Sequence, residues 1–227
     1  MRLVRSLLFN LSLVGWTVGM ALVCLPALVM PRRATLAVLR GWVRGVMWLL
    51  AHVVGLRYEI RGWQHVPGTP AIFAVKHQSM WETLVFAILR PDFAGVYKRE
   101  LLWVPLYGWF LWKADMIAID RRAGAGALRR MVREAKKRVA AGRSLWVAPQ
   151  GTRVEPGVRR PYQRGIAALY RGLDIPVVPV ALNSGLFWGR RSFIKHPGVV
   201  TLEFLAPIRP GLDVDRFMAE LERRIET

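Results

Sequence analysis

The sequence predicts an α/β domain with a mostly parallel sheet flanked by helices, preceded by a two-helix membrane element. From residue 56 onward, short apolar runs of strand length alternate with segments of helical periodicity, which is the pattern of parallel strands joined by crossover helices. Residues 1–55 instead contain two long apolar segments. The chain has 227 residues, enough for one sizeable core together with such an element. We therefore expect a membrane-associated region at 1–55 and an α/β domain at 56–227.

The two N-terminal segments favour a helical hairpin. Residues 6–31 carry no charge and are long enough to cross a hydrocarbon core of about 30 Å. Residues 34–55 are apolar apart from two arginines. Arginines flank both ends of the first segment, so the positive-inside rule gives no orientation for a single span. A hairpin that dips into one leaflet and turns near Pro26 and Pro31 removes this conflict. A true span is the alternative.

The pattern of the α/β domain predicts seven strands and four clear helices. The strands are expected at residues 58–60, 71–75, 93–97, 116–119, 144–148, 175–182 and 199–205. The helices are expected at residues 79–89, 125–141, 161–172 and 214–225. Residues 101–112 are apolar and aromatic but contain Pro105 and Gly108, which favours a short helix or a surface loop.

The composition indicates a partner that is anionic and interfacial. Hydrophobic residues make up 53% of the chain, and the formal net charge is +19. Such a charge favours nucleic acid, an anionic membrane surface or a phosphorylated substrate. The basic residues are scattered among apolar segments, so no nucleic-acid partner is expected. Ten tryptophans fit a protein at a membrane interface.

Cysteine and metal chemistry are not indicated. Cys24 is the single cysteine and lies in an apolar run, so neither an internal disulfide nor an activated thiol is expected. The four histidines are dispersed along the chain and match no metal-ligand spacing. The sequence also lacks a Gly-rich nucleotide fingerprint and a G-x-S-x-G elbow.

The stretch KHQSMWETL, residues 76–84, places a histidine and an acid at a strand-to-helix turn. His77 follows the apolar run 71–75, and Glu82 lies at the start of the helical segment. Residues five apart on one helix point about 140° away from each other, so the pair can meet only if His77 precedes the helix. A carboxylate on one ring nitrogen would leave the other free to act as a base near neutral pH. Taken alone, Glu82 is equally explained as a solvated acid at a helix start.

Further polar residues follow other predicted strands. They are Lys98, Arg121 and, within the motif APQGTR, Gln150, Gly151, Thr152 and Arg153. Ligands of open α/β sheets bind beyond the carboxyl ends of the strands, so we expect these residues to converge with His77 on one rim. The planar guanidinium of Arg153 suits a phosphate group. Each motif by itself is also consistent with an ordinary turn that carries a solvated cation.

Together these blocks resemble the 1-acyl-glycerol-3-phosphate acyltransferase family of phospholipid synthesis. The resemblance covers residues 60–180 and keeps the family's order of motifs. A histidine with an acid five residues later is followed by K-x-E-L, I-D-R, P-x-G-T-R and an apolar strand with an internal proline. Two positions depart from the family pattern. Glu82 replaces the usual aspartate, and Gln150 replaces the glutamate of E-G-T-R.

The resemblance implies transfer of a fatty acyl group from acyl-CoA or acyl-carrier protein to the free hydroxyl of lysophosphatidic acid, giving phosphatidic acid. His77 would be the general base, and Glu82 would orient it and stabilise its charge. No cofactor or metal would be needed. The N-terminal helices would place the enzyme on the inner (cytoplasmic) membrane, with the catalytic domain on the cytoplasmic face.

The resemblance also implies the substrate-binding residues, by matching position. They are Arg153, Thr152, Gly151, Gln150, Lys98 and Arg121. Arg153 would bind the acceptor phosphate, while Lys98 and Arg121 are weaker candidates for phosphate or oxyanion contacts. Two alternatives stay open at this point. One is an acyltransferase with another lysolipid acceptor, such as an amino-acid lipid or a lipid A precursor, and the other is a non-catalytic basic protein that binds anionic membranes.

Overall fold

The computed structural model describes residues 1–90, 92–120 and 124–226, and within these ranges the chain forms seven strands and seven α-helices. The strands are β1 (Leu56–Arg61), β2 (Ile72–Val75), β3 (Ala94–Lys98), β4 (Ile117–Ile119), β5 (Leu145–Val147), β6 (Val177–Leu182) and β7 (Gly198–Phe204). The helices are α1 (Arg2–Val23), α2 (Arg32–Leu49), α3 (Trp81–Leu89), α4 (Tyr107–Lys113), α5 (Gly124–Ala140), α6 (Arg164–Leu173) and α7 (Val214–Glu226).

All seven strands join one sheet, in the order β1-β7-β6-β2-β5-β3-β4. Strands β6, β2, β5, β3 and β4 run parallel to one another, while β7 pairs antiparallel with β6 and parallel with β1. The predicted mostly parallel α/β fold is confirmed, with a reversed pair of strands at one edge. Because β2 and β5 are adjacent in the middle of the sheet, the loops after them emerge side by side.

The sheet separates two hydrophobic cores. Alternate residues of a strand point to opposite faces. On β2, Phe73 and Val75 therefore belong to the core beneath α1, α2 and α3, whereas Ile72 and Ala74 belong to the core beneath α5, α6 and α7. All four side chains are fully buried, as expected for a central parallel strand covered on both faces.

The first two helices form an antiparallel hairpin. A 3₁₀ turn at Leu25–Leu28 joins them, and the hydroxyl of Thr35 donates to the Ala27 carbonyl at 3.1 Å. The Trp42 indole donates to the Thr17 hydroxyl at 3.0 Å. Trp16 packs directly over Gly45, where a Cβ atom would clash with its ring. Both helices, Arg2–Val23 and Arg32–Val54, are long and apolar enough to cross a membrane by length and composition.

The two helices of the hairpin differ in what they bury. Helix α2 and the π-helical turn that follows it contribute Val43, Val46 and Leu50 to the same core as the sheet. Helix α1 buries only Ser6 and Phe9 among its 22 residues. Its remaining surface exposes a row of leucines and valines. Helix α2 is therefore a packed layer of the domain, while α1 presents an apolar surface outward.

The structure confirms a short helix in one predicted segment and corrects the start of another. Residues 101–112 form a 3₁₀ turn, Arg99–Trp103, and then α4. Between them Leu106 has φ 64° and ψ −59°, and the Tyr107 N–H donates to the Pro105 carbonyl at 2.7 Å, a tight γ-turn. Helix α6 begins three residues later than the predicted start at 161. Gln163, just before the helix, is extended, and its N–H donates to the Pro149 carbonyl at 2.8 Å.

Candidate active site

His77 and Glu82 meet at the carboxyl end of β2. His77 lies in the turn after the strand, and Glu82 lies in the first turn of α3. The His77 Nδ1 atom is 2.8 Å from Glu82 Oε1. Since a carboxylate can only accept, Nδ1 carries a proton, and in the neutral ring Nε2 then keeps a free lone pair. The turn geometry required by their spacing is therefore the one that the chain adopts.

The Glu82 carboxylate is fully buried and receives three further hydrogen bonds. Oε1 accepts from the backbone N–H groups of Gln78 and Ser79, each at 2.7 Å, which are free because they precede the helix. Oε2 accepts from the hydroxyl of Ser184 at 2.8 Å. A buried carboxylate with this many donors is held in one position. It therefore orients the imidazole before any ligand binds.

Two glutamines join the loops that surround the histidine. Gln150, after β5, accepts from the His77 backbone N–H at 3.2 Å, and Gln78 accepts from the Gly185 N–H at 3.0 Å. The Val154 N–H donates to the His77 carbonyl at 2.8 Å. The loops after β2, β5 and β6 thus form one connected unit. Gln150 is 1% exposed, and its Nε2 atom has no hydrogen-bond partner in the described part of the chain.

The imidazole opens into a cavity of about 590 Å³ that lies over the α2–α3 face of the sheet. The volume is in the usual range for ligand pockets, about 300–1,000 Å³. Its inner wall is apolar and includes Leu39, Val43, Leu84, Leu101, Leu111 and Met116. Trp146 also lines it and packs edge-on against His77, with ring centroids 5.7 Å apart.

The polar lining residues give this cavity a cationic character. They include Lys98, Arg153, Arg190 and Arg191, and the lining residues of the described chain include no aspartate or glutamate. Tyr97 and Tyr107 also line the wall. Burial raises the pKa of Tyr97 to about 12 and raises the pKa of Tyr107, so both phenols are neutral at physiological pH. The cavity therefore combines an uncharged apolar interior with positive charge.

Most of the residues predicted for the site are brought together. Gly151, Thr152, Arg153 and Lys98 line the same cavity as His77. Gln150 lies behind the histidine rather than on the cavity wall, and it contacts the backbone of His77. Arg121 lies outside the described residues. Within the described ranges, no group of three or more His, Cys, Asp or Glu residues could hold a metal ion.

Sequence reasoning missed several residues of the site. Ser184 and Gln78 hold Glu82 and the surrounding loops, and Arg190 and Arg191 line the cavity. Ser184 lies two residues after the end of β6, so the strand-end rule that identified the other residues would have found it as well. The two arginines lie in the β6–β7 loop, and no local pattern marked them as different from other exposed cations.

Comparisons with known proteins identify the family of the chain. A family model described as Acyltransferase matches residues 57–183. The 1-acyl-sn-glycerol-3-phosphate acyltransferase of Pseudomonas aeruginosa is 34% identical over 189 residues, which cover 83% of this chain and 74% of that protein. The 1-acyl-sn-glycerol-3-phosphate acyltransferase alpha of Mus musculus is 29% identical over 200 residues, which cover 86% of this chain and 69% of that protein.

A solved structure shares the fold over the whole chain. The 1-acyl-sn-glycerophosphate (LPA) acyltransferase PlsC from Thermotoga maritima superposes with a TM-score of 0.80 and 19% identity, and the match covers 100% of this chain and 95% of that one. At this identity the likeness shows the fold alone. The family match and the Pseudomonas relative show more, and by them the chain belongs to the 1-acyl-sn-glycerol-3-phosphate acyltransferase family.

Proposed function

We propose that this enzyme transfers a fatty acyl group from a thioester donor, acyl-CoA or acyl-carrier protein, to the free hydroxyl of lysophosphatidic acid. His77 is the general base. The observation that carries the proposal is the 2.8 Å contact between His77 Nδ1 and a buried Glu82, at a cavity that is apolar within and cationic in its polar lining. The relatives are named for the same acceptor.

The reaction needs only a positioned base. His77 Nε2 removes the proton of the acceptor hydroxyl as its oxygen attacks the thioester carbonyl. The C–S bond then breaks, and the imidazolium returns the proton to the departing thiolate. Glu82 stabilises the transient positive charge on the ring. General base catalysis contributes about 10²–10⁴ in rate, and holding the two substrates together contributes much of the remainder.

Arg153 binds the acceptor phosphate in this proposal. It follows β5, lines the cavity with His77, and forms no ion pair with any described residue. A guanidinium donates two parallel hydrogen bonds to phosphate oxygens, which fixes orientation as well as position. Gly151, with φ 69°, allows the tight turn that leads into it. Thr152, Lys98 and Arg121 remain candidates for supporting contacts.

The enzyme works at a membrane surface, because a lysolipid cannot leave the bilayer cheaply. At about 0.8 kcal/mol per CH₂, moving a chain of about fifteen methylenes into water costs roughly 12 kcal/mol. Within residues 1–55, α1 supplies the membrane-associated surface, while α2 packs against the α/β domain of residues 56–227. The exposed side of α1 supplies an apolar contact surface, and so do Trp103 and Trp112, 80% and 71% exposed, of which Trp112 belongs to α4, a helix that contacts the turn of the hairpin. The site then faces the lipid from the cytoplasmic side of the inner membrane.

Purified enzyme in mixed micelles with a radiolabelled acyl thioester tests the proposal. We expect phosphatidic acid from lysophosphatidic acid, and His77→Ala should lower the rate by at least about 10²-fold with an unchanged melting temperature. His52→Ala, which removes an exposed histidine in the π-helical turn after α2, is the matched control. Near-normal activity of His77→Ala would exclude the base assignment.

A panel of acceptors separates the alternatives in the same assay. Gln150 replaces the family's glutamate beside the histidine loop, which keeps a different lysolipid acceptor in consideration. If an amino-acid lipid or a lipid A precursor is acylated in preference to lysophosphatidic acid, that lipid is the acceptor. Vesicle binding without transfer to any acceptor would instead support the non-catalytic alternative.

A further inference from the structure

The loop between β6 and β7 carries two consecutive arginines to the cavity. Arg190 and Arg191 are exposed and line the same cavity as His77 and Arg153. Neither forms an ion pair with any residue in the ranges 1–90, 92–120 and 124–226. Most of the buried or half-buried arginines elsewhere, such as Arg143 beside Asp92 and Asp115, have carboxylate partners. These two guanidiniums are therefore available to a ligand.

The backbone around them is fixed. Arg191 has φ 58°, in the left-handed region that costs a residue with a side chain roughly 1–2 kcal/mol. Two hydrogen bonds enclose this part of the loop: the Ser192 N–H donates to the Gly189 carbonyl at 3.1 Å, and the His196 N–H donates to the Phe187 carbonyl at 2.9 Å. A strained conformation persists only where its surroundings impose it.

Lys195 supplies that support by attaching the loop to α1. It is 4% exposed, and its ammonium donates to the carbonyls of Ser192 and Phe193 and to the Asn10 side chain, at 3.0–3.1 Å. It also lies 5.3 Å from the centre of the Trp188 ring. Burial lowers the pKa of Lys195. Because Asn10 belongs to the N-terminal half of α1, the loop is attached away from the turn of the hairpin.

The charges in the cavity exceed what one phosphate requires. Lys98, Arg153, Arg190 and Arg191 line one cavity with no acidic lining residue among the described positions. Like charges gathered in this way disfavour one another unless an anion binds between them. The reaction brings two phosphates: that of the lysolipid, and the phosphate at the end of the pantetheine arm, which coenzyme A and acyl-carrier protein share.

We propose that Arg190 and Arg191 form a second phosphate subsite, which binds the pantetheine phosphate of the acyl donor while Arg153 binds the acceptor. This inference rests on the proposed function. It assigns the two phosphates to two loops, one after β5 and one after β6. The solvent-exposed pair suits a donor that arrives from water, and the half-buried Arg153 suits a lipid that arrives from the bilayer.

Kinetics with two donors test the assignment. An S-acyl 4′-phosphopantetheine and the S-acyl pantetheine that lacks the phosphate are compared on the full-length enzyme. We expect Arg190→Ala/Arg191→Ala to raise the KM for the phosphorylated donor about tenfold or more, because charged hydrogen bonds are lost, and to leave the unphosphorylated donor unchanged. The KM for lysophosphatidic acid should stay within about twofold. Arg129→Ala/Arg130→Ala, an exposed arginine pair on α5 beyond the opposite face of the sheet, is the charge-matched control.

Each other result overturns the subsite. A raised KM for lysophosphatidic acid alone would assign the two arginines to the acceptor, and an equal effect of the control pair would reduce them to general surface charge. Unchanged kinetics would remove their role altogether. If the wild-type enzyme transfers no acyl group, the proposed function fails. Calorimetric titration with S-acyl 4′-phosphopantetheine then tests the subsite separately, and equal affinity of the wild type and the double variant contradicts it.

Discussion

The imidazole side and the cationic side of the cavity differ in how their polar groups are satisfied. The Glu82 carboxylate has four hydrogen-bond donors and is fully buried. In contrast, Arg153, Arg190 and Arg191 form no ion pair with the described residues, although all three line the cavity. The imidazole is therefore positioned by the protein itself, whereas the three guanidiniums can still pair with anionic ligands. This is the arrangement expected when catalysis depends on a preorganised group and binding depends on anionic substrates.

The largest effect should come from removing the charge of Glu82 while keeping its shape. In Glu82→Gln, the amide oxygen still accepts from the two backbone N–H groups, so the turn should remain. The imidazolium formed during the reaction loses its anionic partner. We expect kcat to fall by roughly 10²-fold, within the range of about 10²–10⁴ that general base catalysis supplies. Steady-state kinetics measure the loss.

The matched comparison is Glu82→Ala, which removes the acceptor as well as the charge. That variant leaves three buried donors of Gln78, Ser79 and Ser184 unpaired, each costing about 1–3 kcal/mol. It should lower the melting temperature markedly, which Glu82→Gln should not do. If Glu82→Gln retains the wild-type kcat, the carboxylate serves folding alone. The inference that the buried carboxylate preorganises the imidazole for catalysis would then be wrong.

The cationic side should respond in KM rather than kcat. If Arg153 binds the acceptor phosphate as proposed, Arg153→Ala removes charge-assisted hydrogen bonds that are worth about 1.5–3 kcal/mol. We expect the KM for lysophosphatidic acid to rise about tenfold to 100-fold, with little change in melting temperature because Arg153 has no ion pair to lose in the described chain. Arg159→Ala is the control, since it lies in the same loop, is exposed and does not line the cavity. Equal effects of the two variants would contradict the phosphate role.

A smaller effect should follow from removing one of the hydrogen bonds that hold the Glu82 carboxylate. Ser184→Ala removes one donor from Glu82 Oε2, at a position where the serine is fully buried. We expect kcat to fall about fivefold to tenfold, which is less than the full value of a hydrogen bond to a charged group because Glu82 keeps three other donors, and we expect KM to stay unchanged. Because the serine acts through Glu82, the same substitution should matter less in a Glu82→Gln background. If the effects of Ser184→Ala and Glu82→Gln on the activation free energy are fully additive, Ser184 does not act on the histidine through Glu82.

The same comparison explains how much the sequence could predict. The His77–Glu82 pair lies within one strand-turn-helix segment, so its spacing alone required the geometry that the chain adopts. Gln150 and Arg153 follow a strand, and the strand-end rule placed them near the histidine. The loop with Arg190 and Arg191 depends on long-range contacts, above all those of Lys195 with Asn10, 185 residues apart. Periodicity and turn chemistry carry no information about such contacts.

The reversed edge strands were also beyond sequence reasoning. Strand β7 has the same apolar pattern whether it runs parallel or antiparallel to β6, because the alternation of side chains is identical in both. Similarly, the apolar face of α2 was compatible with lipid or protein. In the structure it meets protein, since Val43, Val46 and Leu50 lie in the core with Phe73. Composition shows that a surface is apolar, and only the fold shows what covers it.

Outside the cavity, the ion pair that holds the start of α2 provides the smallest expected effect. Both oxygens of Asp92 accept from Arg32 at the start of α2, at 2.7 and 2.8 Å, and Asp92 Oδ1 also lies 2.8 Å from Nε of the buried Arg143. The hydrogen bonds from Arg32 hold the pKa of Asp92 below its usual value. Because the pKa of Asp92 is lowered, the ion pair stabilises the folded enzyme at pH values above the ordinary pKa of a carboxyl group. This stabilisation is lost as the pH falls.

Asp92→Asn should therefore destabilise the enzyme only where the wild-type carboxylate is ionised. The Asp92 side chain is 47% exposed, so solvent screening limits the contribution to about 1 kcal/mol, or roughly 2–4 °C in melting temperature for a chain of this size. The difference between wild type and variant should be constant from about pH 6 to pH 8 and shrink below about pH 4. Thermal unfolding followed across this range measures it, with Asp174→Asn, which forms no ion pair within the described chain, as the control. A difference that persists unchanged under acid would mean that Asp92 acts through packing, and the charge network would not be what fixes α2 over the cavity.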